Sequence, residues 1–161
     1  MNKHVHIRWM IRKDMPEVLA IEQQSYGIPW SKDDFCEVLK HRNCVGMVAE
    51  SEEGTILGYM IYELNPARIR LHNITVDPNV WRFGVGRALI ERLLSKLSLN
   101  KRITCLVDVS EKNLGAQLFF KSVGFRAISV AKGYFDEGHD AYVFCHQLQR
   151  PVAANLVVNE G

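Results

Sequence analysis

The sequence predicts a mixed α/β fold in a single domain. Helical and strand hydrophobic periods alternate along the chain, nothing repeats or falls into low complexity, and 161 residues that are 47% hydrophobic suffice for one sizeable core but not two. Lys and Arg (20) nearly balance Asp and Glu (18), so the broad positive field of a nucleic-acid binder is absent and an acidic ligand needs a local site. The opening stretch MNKHVHIRWMIRK interleaves charged and apolar residues, and no later run is long enough for a membrane span. A cytoplasmic protein without membrane or nucleic-acid partners is therefore expected. Cys36, Cys44, Cys105 and Cys145 form no CxxC pair, which predicts free thiols and no structural zinc. His4, His6, His41 and His146 lack ligand spacing, His72 and His139 read as strand and loop residues, and no metal is expected.

Each element has its own signal. Val5 to Ile11 reads as the first strand, and Asp14 three residues before Glu17 looks like a capping box opening a helix with Val18, Leu19 and Ile21. YGIPWS interrupts, and Ser31 caps a short helix whose inward residues are Phe35, Val38 and Leu39. A hairpin follows: Val45 to Glu50, a turn at EEGT, then Ile56 to Leu64, with Pro66 ending the arm. In RIRLHNITV, Ile69 and Leu71 share one face while Ile74 and Val76 fall on the opposite parity. Either an extra residue near His72 and Asn73 forms a β-bulge that returns both pairs to the core, or the strand is buried on both faces.

Val85, Leu89, Leu93 and Leu97 then recur every fourth residue, the stripe of an amphipathic helix. A strand ITCLVDV, a helix from about Asn113 to Ser122 ended by Gly124, and strands Phe125 to Ala131 and Ala141 to Leu148 complete a domain over 1–149, leaving 150–161 as a tail.

The chemistry concentrates in VDPNVWRFGVGRALIERLL, where a turn enters a helix through Gly84 and Gly86. A helix start presents unpaired N–H groups and partial positive charge, so it suits a phosphate. A dinucleotide fingerprint fits poorly, because its third glycine is Leu89 and seven residues separate Val76 from Gly84. No Gly-Lys-Ser/Thr of a P-loop follows either.

From Ile7 to Leu148 the chain instead resembles the GNAT superfamily of N-acetyltransferases, and most closely its RimI-type group, which acetylates protein N-terminal amines. The resemblance rests on IPWS, NITVDP, RFGVGRALIE, VDVSEKNLGAQLFF with KSVGF, and GHDAYVF. It implies a mostly antiparallel sheet with two central parallel strands splayed at the bulge and flanking helices. It also implies acetyl-CoA as co-substrate and a protein N-terminus or peptide as partner.

Carried over residue by residue, the resemblance assigns acetyl-CoA to the backbone of Ile74, Thr75 and Val76, to the loop Arg82, Phe83, Gly84, Val85, Gly86, Arg87 and Ala88, and to Asn113 and Phe120. It assigns substrate contacts to Trp30 and Tyr134 and catalysis to Asp108; Tyr134 is also the phenol that can stand in for the missing acid. Tyr134 reads equally as a loop aromatic, and Asp108 also as a strand-end carboxylate capping the next turn. Asn113 also reads as a plain helix cap. Three positions depart from the pattern: Trp81 replaces the signature's Gln or Arg, Phe120 its general-acid tyrosine, and Asp108 its catalytic glutamate. The implied activity is transfer of acetyl to an N-terminal α-amine. A lysine or small-molecule amine as acceptor, or an acyl-CoA sensor without turnover, are the alternatives.

Overall fold

In the computed structural model, residues 4–24, 27–135 and 138–149 are described. The predicted tail at 150–161 and Tyr26 of YGIPWS lie outside them. The elements in chain order are β1 (Val5–Trp9), α1 (Met15–Glu22), α2 (Lys32–Leu39), β2 (Cys44–Ser51), β3 (Ile56–Leu64), β4 (Arg68–Val76), α3 (Val85–Leu94), β5 (Thr104–Ser110), α4 (Leu114–Ser122), β6 (Arg126–Ala131) and β7 (Ala141–Gln147). One sheet takes the order β1-β2-β3-β4-β5-β7-β6, antiparallel throughout except where β4 runs parallel to β5.

Two apolar layers cover its faces. On one, Val18 and Ile21 of α1 and Phe35 of α2 pack on Val48, Ile56, Tyr59 and Ile61. On the other, Val85, Leu89, Ile90 and Leu93 of α3 join Phe120 of α4 over Met47, Met60, Tyr62, Ile69, Leu71 and Val107. The four-residue period predicted for α3 supplies this second layer directly.

The start of α1 differs from the sequence expectation. Asp14 precedes the helix, but its carboxylate makes no cap there. It accepts both guanidinium donors of Arg8 at 2.8 Å and the Ile11 N–H at 2.8 Å. A bidentate ion pair outweighs a single cap bond, so Asp14 is drawn inward to β1 and the helix starts behind it at Met15, with Pro16 in its first turn. Ser31 does cap α2, with the reciprocal Asp34 bond back to its own N–H.

The slip in RIRLHNITV is a bulge. Against β3, Leu71 pairs Tyr62 and Asn73 pairs Ile61, leaving His72 as the extra residue. Ile69, Leu71, Ile74 and Val76 all reach the α3 layer as a result. The parallel pairing of β4 with β5 covers only Arg68–Leu71 against Thr104–Val107 and ends at the bulge, while β4 stays paired with β3 to Val76. Beyond that point the two strands diverge, and the sheet opens into a cleft.

Candidate active site

One end of the cleft is made of backbone. Arg82 and Gly84 both take the left-handed conformation, at φ 73° and 86°, which turns the chain sharply into α3. The first helical bond is Ala88 N–H to Gly84 O at 3.0 Å, so the N–H groups of Val85, Gly86 and Arg87 belong to the open first turn. The two glycines serve different ends. Gly84 is required by its φ, whereas a Cβ on Gly86 would stand 3.1 Å from the Phe119 ring, so Gly86 lets α3 pack closely on α4. The sequence reading gave both glycines to phosphate approach or to a tight turn, and did not separate their roles.

Trp81, at the signature's Gln or Arg position, donates its indole N–H to Val76 O at 2.9 Å and ties the loop to the end of β4. Arg87 donates to Ser122 O at 3.4 Å at the end of α4. Asn113 caps α4, accepting the Ala116 N–H on Oδ1 at 3.0 Å, as its simpler reading required. The exposed Phe83 lies on the loop between Arg82 and Gly84.

The other end is made of side chains. Asp108 on β5 pairs with Arg70 on β4 at 2.8 Å, across the point where the strands part, and its charge reaches the Tyr134 phenol. Burial, then the negative charge of Asp108, pushes the Tyr134 phenol up from its ordinary value, so it keeps its proton. The structure thus brings Asp108 and Tyr134 together. It does not bring Phe120 to them: that ring is 3% exposed, edge-on to Phe119 and Phe125 and tilted against Phe144.

Glu22, at the end of α1, was missed by the sequence reading. It is 3% exposed and gathers partners from three directions. Its Oε2 accepts the Trp30 N–H at 2.8 Å, while Oε1 takes Asn73 at 3.2 Å, Thr75 at 3.3 Å and a very short bond from the Tyr59 hydroxyl. Burial beside that carboxylate drives the Tyr59 phenol far upward, so it remains a donor. Glu22 therefore fixes IPWS, whose Trp30 ring also packs on Phe35 at 5.1 Å, against the inner residues of the bulge. The signal was present: Glu22 follows Val18 by four positions, on the buried stripe of α1.

A thioester lying along the open edge of β4 would have backbone donors on one side and Asp108 with Tyr134 on the other. An arrangement of that kind can serve attack on a carbonyl with proton removal.

Residues 8–125 match the model of the acetyltransferase (GNAT) family. The [ribosomal protein bS18]-alanine N-acetyltransferase of Escherichia coli strain K12 is 29% identical over 122 residues, 76% of this chain and 81% of that one. The crystal structure of the Escherichia coli ribosomal-protein-S18-alanine N-acetyltransferase superposes with a TM-score of 0.78 at 25% identity, over 92% of this chain and 96% of that one. Arabidopsis thaliana NAA60 in complex with acetyl-CoA shares the fold, with a TM-score of 0.77 at 14% identity, over 90% of this chain and the whole of that one. With a seven-stranded sheet among the described residues, a parallel pair splayed at a bulge and a family match over residues 8–125, the chain belongs to the GNAT acetyltransferase family.

Proposed function

We propose that this N-acetyltransferase transfers the acetyl group of acetyl-CoA to the N-terminal α-amine of a protein in the cytoplasm. The observation that carries the reading is the Asp108, Tyr134 and Arg70 cluster beside the divergence of β4 and β5. The pyrophosphate is held by the N–H groups and arginines of Arg82 to Ala88, the pantetheine runs along Ile74 to Val76, and the Asn113 amide and the Phe119–Phe120 helix border it. Donors on β4 polarise the thioester carbonyl. The amine nitrogen attacks the carbonyl carbon, its proton passes through water to Asp108, and the carbon–sulfur bond breaks to release CoA thiolate. A thiol of ordinary pKa near 8.5 leaves readily, so a buried Phe120 is compatible with turnover, and the protonated Tyr134 phenol is the donor for the sulfur.

The α-amine follows from the base. Neutralising a lysine at pH 7 costs roughly 3 to 4 kcal/mol more than neutralising an α-amine, and one aspartate already engaged by Arg70 suits the easier task. The name of the curated relatives, which act on an alanine of ribosomal protein bS18, supports a protein acceptor. The test is a peptide with a free N-terminus and an internal lysine, analysed by mass spectrometry after reaction. Acetyl on the α-amine is expected. Acetyl chiefly on lysine, or only on a polyamine supplied in parallel, overturns the reading.

A further inference from the structure

The extra residue in β4 does more than restore the hydrophobic register. His72 and Asn73 both project to the face carrying α1 and α2, and they serve different neighbours: Asn73 goes to Glu22 and His72 to Glu63. Glu63 on β3 is the direct cross-strand partner of Cys44 on β2. One donor atom from each of Cys44, Glu63 and His72 lies within 4.8 Å of the others, and His72 Nε2 stands 2.8 Å from Glu63 Oε1. Three adjacent strands thus offer a thiol, a carboxylate and an imidazole to one point in space.

We propose that Cys44, Glu63 and His72 bind a zinc ion. The donor set is of mixed softness, sulfur, nitrogen and oxygen, which suits Zn²⁺ better than the all-oxygen preference of magnesium or calcium. Tetrahedral zinc places such donors about 3.3 to 3.6 Å apart, from its usual bond lengths. The carboxylate–imidazole contact opens and the other gaps close by less than about one to two ångströms, within reach of side-chain rotation. Three protein ligands leave a fourth position for water. The carboxylate is already oriented from outside: Asn43 donates to Glu63 Oε2 at 3.4 Å and to Asn65 Oδ1 at 3.0 Å, leaving Oε1 for the ion. Binding releases the Cys44 thiol proton to solvent and takes the imidazole as its neutral tautomer with Nε2 free.

The ion would lie on the outer side of the bulge whose inner side carries Asn73 and the Glu22 network. It would therefore staple β2, β3 and β4 at the position where β5 lets go.

The test uses tag-free, metal-stripped protein titrated with Co²⁺ and then Zn²⁺ against a chromophoric chelator. One equivalent of Co²⁺ is expected to produce a thiolate-to-metal charge-transfer band that Zn²⁺ abolishes. Cys44→Ser should remove the band, and His72→Gln should weaken zinc binding at least tenfold; Cys36→Ser, at an exposed thiol elsewhere, should leave both unchanged. If Cys44→Ser misfolds, His72→Gln decides, since its side chain is partly exposed and its loss leaves no cavity. No band at one equivalent, or a band that persists in Cys44→Ser or in His72→Gln at undiminished affinity, overturns the proposal.

Discussion

The two ends of the cleft between β4 and β5 are built from different material. The end at α3 is a contiguous loop whose work is done by backbone in unusual conformations, with Arg82 and Gly84 left-handed and Trp81 clamped to Val76. The far end draws Arg70 and Asn73 from β4, Asp108 from β5, Tyr134 from a loop and Glu22 from α1, in two linked groups, Arg70–Asp108–Tyr134 and Asn73–Glu22. At the first end the path of the backbone sets the shape, and the Trp81 indole holds that path in place. At the second, each polar group is another group's partner.

That contrast can be broken by substitution. Asp108→Ala should lower kcat/KM by about 100-fold or more, the usual effect of losing a general base, while calorimetry finds acetyl-CoA affinity unchanged. An equal loss of affinity would merge the two ends into one site. Glu22→Ala should destabilise the fold by about 3 kcal/mol, because it strands the Tyr59 hydroxyl and the Trp30 N–H without an acceptor. Thermal melting should then shift down by about 6 to 12 °C for a domain of this size. Glu22→Gln, which keeps an acceptor, should cost less than half as much.

The backbone end should respond more mildly and in two distinct ways. Gly84→Ala places a Cβ in the left-handed region, at about 1 to 2 kcal/mol, and should weaken acetyl-CoA binding in proportion. Gly86→Ala meets Phe119 instead, so its effect should appear in thermal stability and be relieved by Phe119→Leu. Identical behaviour of the two variants would show that both glycines serve the anion.

The smallest effect concerns pH. The hydrogen bonds from Arg8 hold the Asp14 carboxyl below its ordinary value of 3.8. A depressed folded value means that the stabilisation is complete above the unfolded pKa and disappears as pH falls through the folded one. Acid unfolding curves of the wild type should therefore carry a component below about pH 4 that Asp14→Asn lacks, with no difference between the two slopes near neutrality.

Legibility in the sequence followed the same division. The bulge was readable because four apolar residues had to face one core, and the loop at α3 because its signal is contiguous. Asp108 was singled out through family resemblance, and Tyr134 through resemblance together with the need for a phenol to replace the missing acid. Glu22 was overlooked as an ordinary helix-end carboxylate although its spacing from Val18 marked it. Cys44, Glu63 and His72 lie in three strands with 18 and 8 residues between them, a separation that no metal motif covers and that only the pairing of β2, β3 and β4 brings into range. Asp14 shows the opposite failure, where a local capping pattern lost to an ion pair with the preceding strand.

The short parallel contact has a consequence for folding. Only four residue pairs, Arg68–Leu71 against Thr104–Val107, join the sheet of β1 to β4 to that of β5 to β7. The first group holds two hairpins, β2–β3 and β3–β4, whereas the second can dock only after a long crossover, so native-state hydrogen exchange should resolve two cooperative units with the weaker protection on the β5 side. On the proposed binding mode the pantetheine lies where the missing strand pairing would be. Acetyl-CoA would then act as a removable rung of the sheet, adding about 2.7 kcal/mol at a hundredfold excess over its Kd and fusing two unfolding units into one.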